Sequence, residues 1–126
     1  MRELSDKNFL GEKGEEFVVS WLVKNGYKLL TKNYRCRGGE IDIVVQKSDV
    51  IAFVEIKRRM NNYFALSEVI TKSKQQKIAF AAQNFINKHG ISSYAFRFDV
   101  ALVEGKCGSE RITYIERAFR DERFSW

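Results

Sequence analysis

The run Val50-Ile51-Ala52-Phe53-Val54-Glu55-Ile56-Lys57 constrains the fold more than any other stretch, because it is almost entirely apolar and β-prone. A strand of that kind lacks the in-out alternation of a half-solvated sheet, so it belongs deep in a sheet covered on both faces. Helices must supply the covering. Between Leu10 and Lys24, the residues Phe17, Val18, Val19, Trp21, Leu22 and Val23 recur at helical spacing, and Asn25-Gly26 is a stop signal. A second helix is expected from Ser67 or Thr71 to Lys88, closed by Gly90, with Ile70, Ile78, Ala81, Ala82, Phe85 and Ile86 as its buried stripe.

The remaining segments read as strands. Tyr27 to Tyr34 is followed by a turn at Arg37-Gly38-Gly39 and a strand from Glu40 to Gln46; Lys47-Ser48-Asp49 turns into the central run. Tyr94 to Val103 alternates as a strand, the Gly105 to Gly108 loop turns it, and Ile112 to Ile115 makes a short last one. The order α-β-β-β-α-β-β, with a helix joining two strands, predicts an α/β fold: a central mixed β-sheet flanked by helices. At 126 residues the chain is expected to form one domain, since two halves would each be too small to bury a core.

Lys and Arg total 22 against 16 Asp and Glu, and the net charge of +6 favours a polyanion, nucleic acid first, as partner. Two distant cysteines, Cys36 and Cys107, and the single His89 argue for neither a zinc cluster nor a disulfide framework. No apolar run approaches the roughly 20 residues of a membrane helix, and the opening residues lack the apolar stretch of a secretion signal. The expectation is a soluble, cytoplasmic protein with no membrane partner.

Alternation places Glu40 and Asp42 on one face of the second strand, and Glu55 and Lys57 on one face of the third. If the strands pair through the turn at residues 47–49, Asp42 comes close to Glu55. Two carboxylates then make an oxygen-rich site for a hard divalent cation, magnesium naturally. Lys57 would offset part of the repulsion and sit beside the water or phosphate of a phosphodiester hydrolysis. A solvated strand face would also explain such charges, but these interrupt the most buried-looking segments of the chain, where unpaired charge is expensive.

Each helix adds an inward-facing charge. Glu15 shares its face with Val18, Val19 and Leu22, so it can reach the metal site or simply complement the helix dipole. Lys74 lies on the apolar stripe of Ile78, Ala81 and Phe85, aimed inward or snorkelling outward. Arg35, Arg37, Arg58, Arg59, Lys72 and Lys77, with Lys74, are candidates for phosphate-backbone contacts. Arg97 and Asp99 read as a structural ion pair.

Taken in order, Gly14-Glu15, Gly26-Tyr27, Asn33-Tyr34-Arg35, Gly39-Glu40-Ile41-Asp42, Phe53 through Arg59, Lys74 and Arg97-Phe98-Asp99-Val100 resemble the YraN family of bacterial proteins. The resemblance spans most of the chain, including Ile112-Thr113-Tyr114-Ile115 and Ala118-Phe119 near its close. It implies a restriction-endonuclease-like fold, an active site of the PD-(D/E)xK type and distant similarity to archaeal Holliday junction resolvases. By the same resemblance Asp42 and Glu55 match metal-binding carboxylates, Ile56 the residue whose backbone carbonyl joins them, Lys57 the catalytic lysine and Glu15 the helix glutamate of resolvases. Glu40 and Lys74 match motif positions without an established chemical role. Ile41 stands where the pattern's proline would be, as in many members of the resolvase-like branch.

The function so implied is a Mg2+-dependent (or Mn2+-dependent) DNA endonuclease, with branched DNA among its candidate substrates and a homodimer as its assembly. Two other readings compete: a nucleic-acid-binding module of the same fold that does not cleave, and a protein-interaction domain using Phe64, Phe119, Phe124 and Trp126 as exposed anchors.

Overall fold

A computed structural model describes residues 6–59, 70–105 and 108–122. Helix α1 spans Asp6–Lys24, followed by β1 (Lys28–Cys36), β2 (Gly39–Lys47) and β3 (Val50–Arg59); α2 (Lys72–His89), β4 (Ala95–Glu104) and β5 (Arg111–Ile115) complete the described elements. The order is the α-β-β-β-α-β-β expected for a restriction-endonuclease-like arrangement. The sheet runs β1-β2-β3-β4-β5, and every pairing is antiparallel except β3 with β4, which the crossover through α2 makes parallel. The apolar run is therefore the middle strand.

Element ends differ from the pattern in sequence for local reasons. Helix α1 begins at Asp6, four residues before Leu10, because polar first-turn residues carry no apolar periodicity. Helix α2 begins after Thr71, whose hydroxyl accepts from the Lys74 backbone N–H at 3.2 Å; Ser67 lies outside the described residues. Gly90 closes α2 with φ +62°, the left-handed conformation that glycine takes without steric cost.

Two apolar layers sandwich the sheet. Val18 and Leu22 of α1 pack with Ile43, Val45, Ala52, Val54, Ala101 and Val103, while Ile78, Ala81, Ala82, Phe85 and Ile86 of α2 pack with Val44, Ile51, Phe53, Phe96 and Phe98. Ile70 is buried too, against Val100. Gly39 lets α2 come down on the end of the β1-β2 hairpin, since a Cβ there would stand 2.3 Å from the Lys77 carbonyl oxygen.

The sheet is not uniformly zipped. Pairing of β2 with β3 ends at Ile43↔Val54, whereas β1-β2 continues to Cys36↔Gly39 and β3-β4 to Arg59↔Glu104. Beyond Val54 the two middle strands diverge and leave a split. At the same place β2 turns over: Ile41 packs in the α2 layer and Ile43 in the α1 layer, although simple alternation would give them one face. The turning point is Asp42, bracketed against Asn33 of β1 by the Lys32↔Ile43 and Tyr34↔Ile41 pairs. Asn33 has φ +52°, a conformation asparagine tolerates better than most residues.

One expected anchor is not free. Phe119 stacks on Phe98 with centroids 4.8 Å apart, so it serves the fold; Phe64, Phe124 and Trp126 lie outside the described residues. No helix among the described residues is long and apolar enough to cross a membrane.

Candidate active site

The split between β2 and β3 is where the candidate residues meet. Because β2 has left the ladder, the Ile56 backbone N–H has no carbonyl opposite it and donates instead to Asp42 Oδ2 at 2.8 Å. This bond aims the Asp42 carboxylate across the gap toward β3. A strand residue's N–H and C=O leave by the same edge, so the Ile56 carbonyl faces the split as well.

Glu55 precedes Ile56 and is 4% exposed. Its Oε1 is buried with no hydrogen-bond partner, and its Oε2 lies 3.8 Å from Lys74 Nζ. Burial first, then the charge of Asp42 and a hydrogen bond shared with its carboxyl, push the Glu55 carboxyl up to about 8, against the opposing pull of Lys74 and Lys57. Asp42, Glu55, Lys57 and Lys74 thus act on one another in a single electrostatic neighbourhood. Two carboxylates that repel, one with an unmet buried oxygen, fit a hard cation with oxygen ligands.

Lys74 resolves the ambiguity of its position on the apolar stripe. Its ammonium points inward, reaching Glu40 Oε2 at 3.5 Å as well as Glu55, and Arg35 Nε stands 3.5 Å from Glu40 Oε1. Arg35, Glu40, Lys74 and Glu55 therefore follow one another from the surface down to the split. Beside them a cavity of about 480 Å³ is lined by Arg35, Glu40, Lys74 and Lys77 together with Thr71 and Ser73.

The structure sorts the other candidates. Glu15 is partly buried and accepts from Asn33 Nδ2 at 3.2 Å, which ties it to the residue opposite Asp42; among the described residues no three Asp, Glu, His or Cys side chains gather into a metal-holding group. Arg35, Arg37, Lys72 and Lys77 are exposed. Arg58 is engaged with the protein itself: its Nη1 donates to the Gly105 carbonyl at 3.2 Å, its Nη2 meets Glu110 Oε2 at 3.4 Å, and Gly14 lies against the guanidinium. The Arg59 side chain lies outside the described residues.

Asn33 belongs to a motif of the family resemblance, Asn33-Tyr34-Arg35, but the sequence assigned it no role at the site. The Arg97 and Asp99 pair, read as structural, is the centre of a larger network. Asp99 is fully buried and accepts from Arg97 Nε and Nη2, from the Tyr114 hydroxyl at 2.6 Å and from the Arg117 backbone N–H at 3.1 Å. Arg97 Nη2 also donates to the Tyr27 hydroxyl at 2.6 Å.

A mixed α/β sheet of restriction-endonuclease-like order, with a buried carboxylate pair and two lysines where its middle strands part, defines the class of protein. Residues 14–103 match the model described as uncharacterised protein family UPF0102, and the chain belongs to that family, the YraN family that its motifs resemble. It is 44% identical over 112 residues to a UPF0102 protein of Alkaliphilus metalliredigens, covering 87% of this chain and 96% of that protein. A UPF0102 protein of Chloroherpeton thalassium is 42% identical over 119 residues, covering 87% and 92% respectively. Glu15, Asp42, Glu55, Lys57 and Lys74 all fall inside the matched segment.

Proposed function

We propose that this protein is a divalent-metal-dependent endonuclease that hydrolyses DNA phosphodiester bonds. The observation that carries the reading is the unpartnered buried Glu55 Oε1 beside Asp42, at the point where two strands separate. An apolar or neutral pair would be less costly to bury there, and a cation relieves both the repulsion and the unmet oxygen. Asp42, Glu55 and the Ile56 carbonyl would hold Mg2+, with Mn2+ as a substitute of similar ligand preference.

When bound, such an ion supplies Lewis acidity toward a phosphoryl oxygen and makes water a better nucleophile at neutral pH. The chain's own residues do the rest. Lys57, whose charge already acts on Glu55, stands where it can orient the attacking water and neutralise charge that develops on the phosphate. Glu15, held by Asn33, orients water from the α1 side. Arg35, Arg37, Lys72 and Lys77 give the strand a cationic track, which makes affinity fall steeply with salt.

The test offers four-way junction, flap, linear duplex and single-stranded DNA to wild type and Asp42→Asn, with and without Mg2+. Cleavage by wild type only, and only with metal, is the expected result; binding of DNA by both proteins without any cutting overturns it. One observation favours the non-cleaving module instead: Lys74 already lies 3.8 Å from Glu55, so part of the compensation is built in. Calorimetric titration with Mg2+ separates the two readings, because the binding module has no use for the ion. The homodimer is checked by sedimentation, with and without junction DNA.

A further inference from the structure

A second cavity lies at the opposite end of α2 from the charged one. It holds about 570 Å³ and opens between the start of β3, the α2 C-terminus and β1. Its wall is part aromatic, from Tyr34, His89, Tyr94 and the buried Phe85, and part aliphatic, from Leu30, Ile51 and Ile91, with Phe85 edge-on to Tyr34 at 5.1 Å and the His89 ring 4.4 Å from Phe85. The Tyr34 hydroxyl donates to Asn84 Oδ1, which fixes the ring against α2.

The polar groups around these rings are few and of particular kinds. Gln46 donates one amide N–H to the Ser48 carbonyl at 3.1 Å, which leaves its amide oxygen to accept. Lys88 lines it too, and among the described residues no carboxylate does, unlike the first cavity with its Glu40. Flat π-faces, an amide edge and a cation without a competing acid together match a nucleobase carrying its phosphate. An apolar peptide would have no use for the amide or the lysine.

We infer that this cavity receives an unpaired nucleobase of the DNA substrate. The inference rests on the proposed endonuclease reading and adds a substrate feature to it. Lys74 and Lys88 are fourteen residues apart on α2, a span of about 21 Å at the helical rise. The rows of β1 link the two sites: Arg35 lines the charged cavity and Tyr34 the aromatic one. A strand following this edge would present phosphates to Arg35 and Lys77 and turn one unstacked base in at Tyr34 and Tyr94. A fully paired duplex cannot fill the aromatic cavity without breaking a pair.

The experiment uses two otherwise identical DNA duplexes, one fully paired and one with a single unpaired 2-aminopurine nucleotide, and follows 2-aminopurine fluorescence as the full chain is added without metal. Stacking in the cavity quenches the bright unpaired base, and affinity exceeds that for the paired duplex. Tyr94→Ala is expected to lower affinity for the unpaired-base duplex by about tenfold and leave the paired duplex unchanged. Unchanged fluorescence at saturation, with equal affinities for the two duplexes, overturns the base pocket while leaving the endonuclease reading standing. Absence of binding to either duplex overturns the base pocket as well, while the endonuclease reading is judged by the cleavage test on junction, flap and single-stranded DNA. Because the quench is read on wild type, the outcome does not depend on how well the variant folds.

Discussion

Two buried acids sit one register step apart on neighbouring strands, and the molecule treats them in opposite ways. Asp99 of β4 is paired in register with Val54 of β3, and Glu55 is the next residue along β3, so the two carboxylates project to opposite faces of the sheet. Asp99, in the α1 layer, accepts from Arg97, Tyr114 and the Arg117 backbone. Burial, and then the Asp99 charge, push the Tyr114 phenol up and keep it a donor. Glu55, in the α2 layer, has Oε1 without a hydrogen bond, Oε2 3.8 Å from Lys74 Nζ, and the carboxyl of Asp42 as its other neighbour. A closed network of this kind serves to hold β4, β5 and Tyr27 together. An open one is costly to the fold and makes sense as a place for something that is added later.

The largest effect is expected at Asp99. Asp99→Ala leaves the Tyr114 hydroxyl and the Arg117 N–H without their buried acceptor and leaves half-buried Arg97 with only Tyr27 and the exposed Glu116, and is expected to cost about 3–5 kcal/mol in urea unfolding. A loss below about 1 kcal/mol would mean that the network is not structural after all.

At the open site the loss should fall on function. Asp42→Asn keeps an acceptor for the Ile56 N–H but removes a charge, so cleavage should drop by at least about a hundredfold while the unfolding midpoint stays close to wild type. Lys57→Ala should slow cleavage to a similar degree, and cleavage at the wild-type rate would remove that lysine from the reaction.

Glu55→Gln sharpens the contrast through pH. Below the ordinary 4.5 both folded and unfolded chains hold the Glu55 proton; between there and about 8 only the folded chain keeps it. Metal-free stability from this group therefore falls as pH rises through that window and levels off above about 8. Glu55→Gln should abolish this slope and gain on the order of 2 kcal/mol over wild type at pH 8.5 in chelator. An identical pH profile for the two proteins would contradict the uncompensated state of Glu55. In wild type, Mg2+ should raise the melting temperature more at pH 8 than at pH 6, because proton and cation compete for the same oxygens.

The smallest effect belongs to Lys74. Its charge holds the Glu55 carboxyl down, so Lys74→Met should move that titration upward, read from the carboxyl carbon resonance of Glu55. A downward move would show that Lys74 does not face the pair.

Much of this was visible in one dimension because it follows from short-range rules. Alternation and helical spacing marked β3 as the covered strand, put Asp42 and Glu55 within reach across one tight turn, and set Lys74 on the apolar stripe. Arg58 was misleading: a lysine- and arginine-rich run looks like a phosphate contact, yet its guanidinium is drawn to the Gly105 carbonyl and Glu110, partners 47 and 52 residues away. The role of Asn33 was hidden for a similar reason, since its bond to Glu15 joins a helix to a strand across 18 residues.

By itself, then, the amino-acid sequence determined the elements, their order and the chemical types available to the middle of the sheet, because local backbone preference and burial periodicity act over a few residues. Only the tertiary structure decided that β2 leaves β3 after Ile43, that Asp42 takes up the freed Ile56 N–H, and that Glu55 is left with an unmet oxygen. Those outcomes depend on where strands stop pairing, and that is set by the packing of both helices against the sheet at once.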